Sequence, residues 1–300
     1  MALEIRRSSL RLRATVLVVL AVVISVLAVD VSSGPSAEAA TNVTLPLTTF
    51  RDVERSADGR IVVAGDDRVL VYSALGQLIT IVPDVFGAAD IDVRDGHAYV
   101  LQTTAGAVAD IDLATYARSD ITIGTTVNAG GIAVLPDAIW FLTTGVRAAR
   151  FDRTTAAVTV PTSTTASGTG RLLRVPGDDS RVVTAQSSSG WVEVVQAATP
   201  HAVVKDTGTL PHTGALAPTD RGTLVASAGA GGGIRELDLD DLAWATPVRP
   251  SPDTTQAQFI SWTPGAGGTV AWGGSRTSFV GDDTSTTQSH IHALSVPSST

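Results

Sequence analysis

Two histidines, His290 and His292, stand two residues apart, with Asp282 and Asp283 just upstream. Residues i and i+2 of a strand share a face, and two imidazoles with a carboxylate suit a divalent metal ion. This is the metal site that the sequence offers; the plainer reading is a pair of exposed strand histidines. A second set is scattered along the chain. Asn128, His212 and Gln256 each stand just before an apolar run, and Asp84 and Arg249 lie in polar stretches between such runs. Polar groups on loops that converge on one face can form a ligand-binding ring, although loops are polar for solvation as well. Asp66, Asp67, Arg68, Arg147, Lys205, Asp206 and Asp253 belong to the same loops.

Other motifs carry less. With no cysteine in the chain, thiol nucleophiles, thiolate zinc sites and disulfides are excluded, and no GxSxG elbow occurs. Leu210-Pro211-His212-Thr213-Gly214 matches the LPxTG sorting pattern, but further repeats follow it where an apolar span and basic tail are required. Gly229–Gly233 lacks the sixth-position glycine and the helix of a dinucleotide cradle. Asp238, Asp240 and Asp241 lack the twelve-residue pattern of a calcium loop and suit a strand leading into a turn.

What must position these groups is a repeat. The most apolar strand of each unit recurs at intervals of 37 to 46 residues between Arg60 and Thr269. Examples are Ile61-Val62-Val63, Ala98-Tyr99-Val100-Leu101 and Ile139-Trp140-Phe141-Leu142. Continuous β-branched and aromatic runs fit strands covered on both faces. Before them stand apolar first strands such as Ala89–Val93 and Gly131–Val134, joined by turns rich in Asp, Gly and Pro. After them come alternating third strands and Thr-rich outer strands. Helical periodicity is absent after the N-terminal segment. A strand repeat of this length predicts an all-β fold, a β-propeller of six four-stranded blades. The sixth unit lacks an outer strand, so the segment 42–47 is expected to complete it and close the ring; a seventh blade beyond Thr300 is the alternative.

The ends fix the setting. Arg6, Arg7, Arg11 and Arg13 precede an apolar run from Ala14 to Val29, and Ala37-Glu38-Ala39 follows. That order predicts a signal peptide over 1–39 and a single propeller domain over 40–300, secreted or held at the cell surface. The run is slightly short for a membrane span, and no later run is long enough for one. Sec export is the expectation, with twin-arginine export or an uncleaved anchor as alternatives. Acidic residues number 29 and basic ones 21, for a net charge of −8, which argues against nucleic acid and anionic lipid as partners.

The stretch Ala98-Tyr99-Val100, Ala109-Asp110-Ile111-Asp112-Leu113-Ala114-Thr115, Ile121-Thr122-Ile123-Gly124, Gly131-Ile132-Ala133-Val134 resembles the YVTN repeat of secreted bacterial propellers of the YncE-like and lactonase-like kind. Thr44-Leu45-Pro46-Leu47-Thr48-Thr49-Phe50 is similar to the mature start of exported actinobacterial propellers. The matching positions are structural, so the resemblance implies an extracellular propeller and transfers no catalytic residue. The expected function is a non-enzymatic module that binds a protein, peptide or glycan through the channel face and needs no cofactor. The alternative is a lactonase-like or lyase-like enzyme that uses channel-face polar groups.

Overall fold

The structure, a computed structural model, describes residues 45–145, 147–161, 170–186, 191–198, 203–206, 216–227, 234–244, 259–263, 269–279 and 285–295. Among them are 22 strands and no helix. The strands form six antiparallel sheets, one for each unit of the repeat. The first sheet joins β1 (Phe50–Arg55), β2 (Ile61–Gly65), β3 (Arg68–Tyr72) and β4 (Leu78–Pro83) in chain order. The second joins β5 (Ala88–Arg94), β6 (His97–Gln102), β7 (Ala107–Asp112) and β8 (Arg118–Thr122). The third is β9 (Val127–Val134), β10 (Ala138–Thr143), β11 (Ala148–Asp152) and β12 (Val158–Thr159). The fourth is β13 (Gly170–Val175), β14 (Asp178–Gln186), β15 (Trp191–Gln196) and β16 (Val203–Asp206). The last two show three strands each among the described residues: β17 (Leu216–Pro218), β18 (Thr223–Ser227) and β19 (Ile234–Asp238), then β20 (Phe259–Thr263), β21 (Thr269–Phe279) and β22 (Ser285–Ser295).

The first five sheets pack face to face in sequence order. Val62, Val69 and Val71 of the first meet Ala98, Val100, Ala109 and Ile111 of the second. Tyr99, Leu101 and Val108 then meet Ile132, Phe141 and Phe151 of the third. Trp140 and Leu142 meet Leu172, Val182 and Val195 of the fourth, and Val183 and Val194 meet Leu216, Leu224 and Leu237 of the fifth. The consecutive apolar runs of the second strands are explained by this: both faces of β2, β6 and β10 are buried. Successive meanders stacked in this way, with the first strands innermost, make an all-β propeller.

The segment 42–47 departs from expectation. Its described part, 45–47, is not a strand, and Leu45 and Leu47 lie against Ile61, Val63, Leu70 and Tyr72 on the first sheet. Two leucines cover an apolar face here instead of extending a ladder. Residues 42–44 lie outside the described residues, as does the whole 1–39 segment.

One turn is built three times. The side chains of Asp112, Asp152 and Asp238 each accept main-chain N–H groups two and three residues on. Tyr116, Ala156 and Leu242 then take positive φ, between 55° and 59°. An aspartate that caps its own turn is the expected use of such a position. Asp238, Asp240 and Asp241 are thus a turn.

Gly130 and Gly131 mark a close approach of two sheets, and at Gly131 the backbone is special as well. Its φ is 143°, and a Cβ there would overlap the backbone of Leu172 on β13. Gly96, at φ 80°, has open space around it. Gly96→Ala is therefore expected to cost only its backbone conformation, about 1–2 kcal/mol. Gly131→Ala should cost clearly more, because β9 and β13 must also separate. Parallel denaturant titrations of the two variants check this order.

Candidate functional site

The innermost strand of each sheet is an edge strand, so half of its N–H groups have no strand partner on the axial side. On β5 and β9 the partners are carboxylates of the preceding sheet. Asp52 and Glu54 on β1 accept hydrogen bonds from Ile91 N–H (3.0 Å) and Val93 N–H (2.6 Å) of β5. Asp90 and Asp92 on β5 accept from Ile132 N–H (2.8 Å) and Val134 N–H (2.6 Å) of β9. Residues two apart on a strand share a face, so both pairs point toward the axis. They form two layers, Asp52 with Asp90 and Glu54 with Asp92.

The third sheet carries Gly131 and Ala133 where the second has Asp90 and Asp92, and the carboxylate ladder stops there. The fourth sheet answers with arginine. Arg174 on β13 donates from Nε and Nη2 to Asp92 at 3.0 Å and from Nη2 to the Val93 carbonyl. Arg171 acts electrostatically on Asp52 and Asp90. At the far end of β5, Arg94 grips Asp179 of β14 with two bonds of 2.6 and 2.8 Å and also reaches the Val134 carbonyl. Sheets two and four are therefore tied together past the glycine-lined third.

These carboxyls hold protons more tightly than usual. Burial pushes Asp90 well above the ordinary aspartate value, and the charge on Asp52 pushes it further. Asp52 hydrogen-bonds to Asp90 and is raised by burial, with the Ile91 N–H and Arg171 pulling it back. The two carboxyls therefore titrate as a pair, whose proton affinity is raised by burial and, at Asp90, by the neighbouring charge. Glu54 is also pushed well up, by burial first and then by Asp92 and Asp52. Asp92 rises by burial against the pull of Arg174. A pair of carboxyls with raised proton affinity can clamp two strands, hold a cationic group or serve as a general acid. No group of three or more metal-ligating side chains fit to hold an ion occurs among the described residues.

The mouth of the channel on the β2–β3 side is laced by main chain. Val85 N–H and Gly87 N–H donate to the Asp67 and Asp66 carbonyls at 3.0 and 2.8 Å, and Thr103 N–H donates to the Gly87 carbonyl at 2.9 Å. Arg51 pairs with Asp66 at 2.5 Å, and Arg68 binds Asp67 through two bonds. In this pinned loop Phe86 stands 56% exposed, with exposed Asp84 (φ 63°) two residues before it.

Of the residues expected from sequence, Asp84 lies at this mouth. Asn128 lies on β9, but its Oδ1 accepts the N–H of Gly130 at 2.9 Å and is turned back on its own strand. His290 and His292 occupy β22 opposite Gly274 and Trp272 of β21. His212, Gln256, Arg249, Asp282 and Asp283 lie outside the described residues, and so do the sorting-like and glycine-rich segments. The axial carboxyls and Phe86 were not foreseen as site residues. A signal existed: Asp52-Val53-Glu54 and Asp90-Ile91-Asp92 repeat the same acidic-apolar-acidic pattern one unit apart. It was hidden because β1, with four charged residues in six, does not read as a strand.

No family model matches the chain, and no curated protein is similar to it. Solved structures are. The Streptogramin B lyase structure superposes with a TM-score of 0.59 at 11% identity, covering 82% of this chain and 84% of its own. Kluyveromyces lactis Hsv2 gives 0.55 at 14%, covering 75% and 71%. The Neurospora crassa Pan2 WD40 domain gives 0.54 at 10%, covering 75% of each. At such identity the likeness is one of fold: this chain is a β-propeller.

The sign of the pH dependence follows from the raised carboxyls. Asp90 and Glu54 bind protons more tightly in the folded state than in the unfolded chain, which releases them at about pH 4. Their stabilising contribution is full below that range and is lost as pH rises through their raised values. Turn aspartates with lowered values, such as Asp112, act oppositely and lose their contribution in strong acid. Stability should therefore peak in mild acid and decline toward neutral pH. Asp90→Asn, whose amide stands in for the protonated carboxyl while its carbonyl still accepts the Ile132 N–H, is expected to flatten that decline and to equal or exceed wild type at neutral pH. Asp90→Ala leaves the Ile132 N–H without this acceptor and should cost about 1–3 kcal/mol. Thermal melts across a pH series check all three.

Proposed function

We propose that this propeller is exported and serves outside the cytoplasm as a binding module for a protein, peptide or glycan, taken on the channel mouth beside the β4–β5 loop. The observation that carries the reading is Phe86, a large aromatic ring held in solvent by a loop fixed through main-chain bonds on both sides of it. Exposed aromatics on rigid elements, rimmed by charge, are what binding hot spots are made of. Asp84, the Arg51–Asp66 pair and the Arg68–Asp67 pair supply such a rim. The axial carboxyls and Arg174 support the same reading from below, because each already holds a neighbouring sheet in place. The basic, apolar and small-residue order of residues 1–39 supports export.

A second reading has one observation in its favour. The Asp90 carboxyl, with its raised proton affinity, could act as a general acid in a lyase or hydrolase working in the channel. The two readings separate by mutation. Phe86→Ala should weaken binding at least tenfold for ligands found on peptide and glycan arrays, with an unchanged melting temperature. Asp90→Asn should leave that binding intact. Array ligands indifferent to Phe86→Ala, or none at all, would sink the binding reading. A turnover activity lost in Asp90→Asn would establish the other. Fusion of residues 1–39 to a reporter, followed by fractionation, tests export.

A further inference from the structure

Outer strands of stacked sheets carry unpaired backbone groups and are normally guarded against pairing with other chains. The second and third sheets show such guards. On β8 Arg118 and Asp120 form an ion pair at 2.6 Å on the outer strand, and β12 is only two residues long. The fourth sheet's β16 carries Lys205 and Asp206. The first sheet has neither device. β4 is six residues long, forms the outer edge of its sheet, and has no charged residue anywhere from Ser73 to Pro83. It also leaves large apolar side chains in solvent: Leu75 is 83% exposed, Leu78 45%, Ile79 43% and Ile81 39%.

We propose that β4 is a self-association edge, on which a second copy of this chain pairs its own β4 antiparallel about a two-fold axis passing at Thr80, which meets its own counterpart. Charge selects this occupant. With a net charge of −8, two copies repel wherever acidic surfaces meet, and β4 itself carries no charge; Arg118 of the second sheet reaches only its last carbonyl, that of Pro83. Antiparallel pairing centred on Thr80 sets the nearest acid, Asp84, against Gly76 of the other copy instead of against its own counterpart. It also lays Leu78 of each copy opposite Val82 of the other and Ile79 opposite Ile81, so the apolar groups meet one another. An isologous contact of this kind closes at two copies. The mouth that carries Phe86 is not part of it, so this inference stands apart from the proposed binding function.

Light scattering coupled to gel filtration, run on the wild-type protein from low to high micromolar concentration, tests it. The expected result is a mass rising to twice that of the monomer. Leu78→Lys combined with Ile81→Lys should hold the protein at the monomer mass throughout, with its β-sheet circular dichroism retained. Thr122→Lys, on the edge strand of the second sheet, should dimerise as wild type does. A wild type that stays monomeric at every concentration would overturn the proposal, and so would a folded double variant that still doubles its mass or a wild type that assembles beyond two copies.

Discussion

Everything in this fold depends on how the innermost strands dispose of their free edges. A sheet that ends at the axis of a propeller has an edge strand there, and the N–H groups along it face away from their own sheet. Left without partners in a desolvated channel they would be costly. This chain satisfies those of β5 and β9 with carboxylates from the sheet before, Asp52 and Glu54 on β5 and Asp90 and Asp92 on β9. Each bond closes one edge and ties two sheets together, so edge protection and ring assembly are the same interaction.

The arrangement has an electrostatic consequence. Two layers of acids in a narrow channel repel one another, and burial adds to the cost of charging them. The structure meets this by raising the proton affinity of Asp90 and Glu54 and by bringing Arg174 onto Asp92. Arg174 reaches that position because the third sheet presents Gly131 and Ala133, with no long side chain at the axis. Glycine therefore does two things at once: it lets β9 approach β13 closely, and it leaves a passage through which the fourth sheet grips the second.

The fold was largely legible in the sequence, because a propeller writes its second strands as runs of apolar residues at a steady interval. Ala98-Tyr99-Val100-Leu101 and Ile139-Trp140-Phe141-Leu142 lie where their pattern places them, as β6 and β10, and Asp238 caps the turn expected after its strand. The site was less legible. Asp90 and Asp92 were visible only as polar members of a strand, since the partner of each is a backbone N–H some forty residues away, which no local pattern announces. Asp52 and Glu54 were missed along with β1 itself, whose charged residues face a channel instead of a core. Asn128 had the right composition for a ring of ligand groups, but hydrogen-bonding to Gly130 two residues on satisfies it locally. Phe86 looked like one apolar residue among many, because exposure is decided by the main-chain bonds of Val85 and Gly87.

The Asp90 carboxyl is the most direct point of access to this account. Carbon-detected NMR titration of the aspartate carboxyls would follow Asp90 itself, while the amide proton of Ile132 reports on the bond that Asp90 accepts. The account predicts that the Asp90 carboxyl titrates well above the ordinary aspartate range and that the Ile132 amide shifts with the same midpoint. An Asp90 that ionises at an ordinary aspartate value, or an Ile132 amide that does not follow it, would contradict the clamp on which the rest is built.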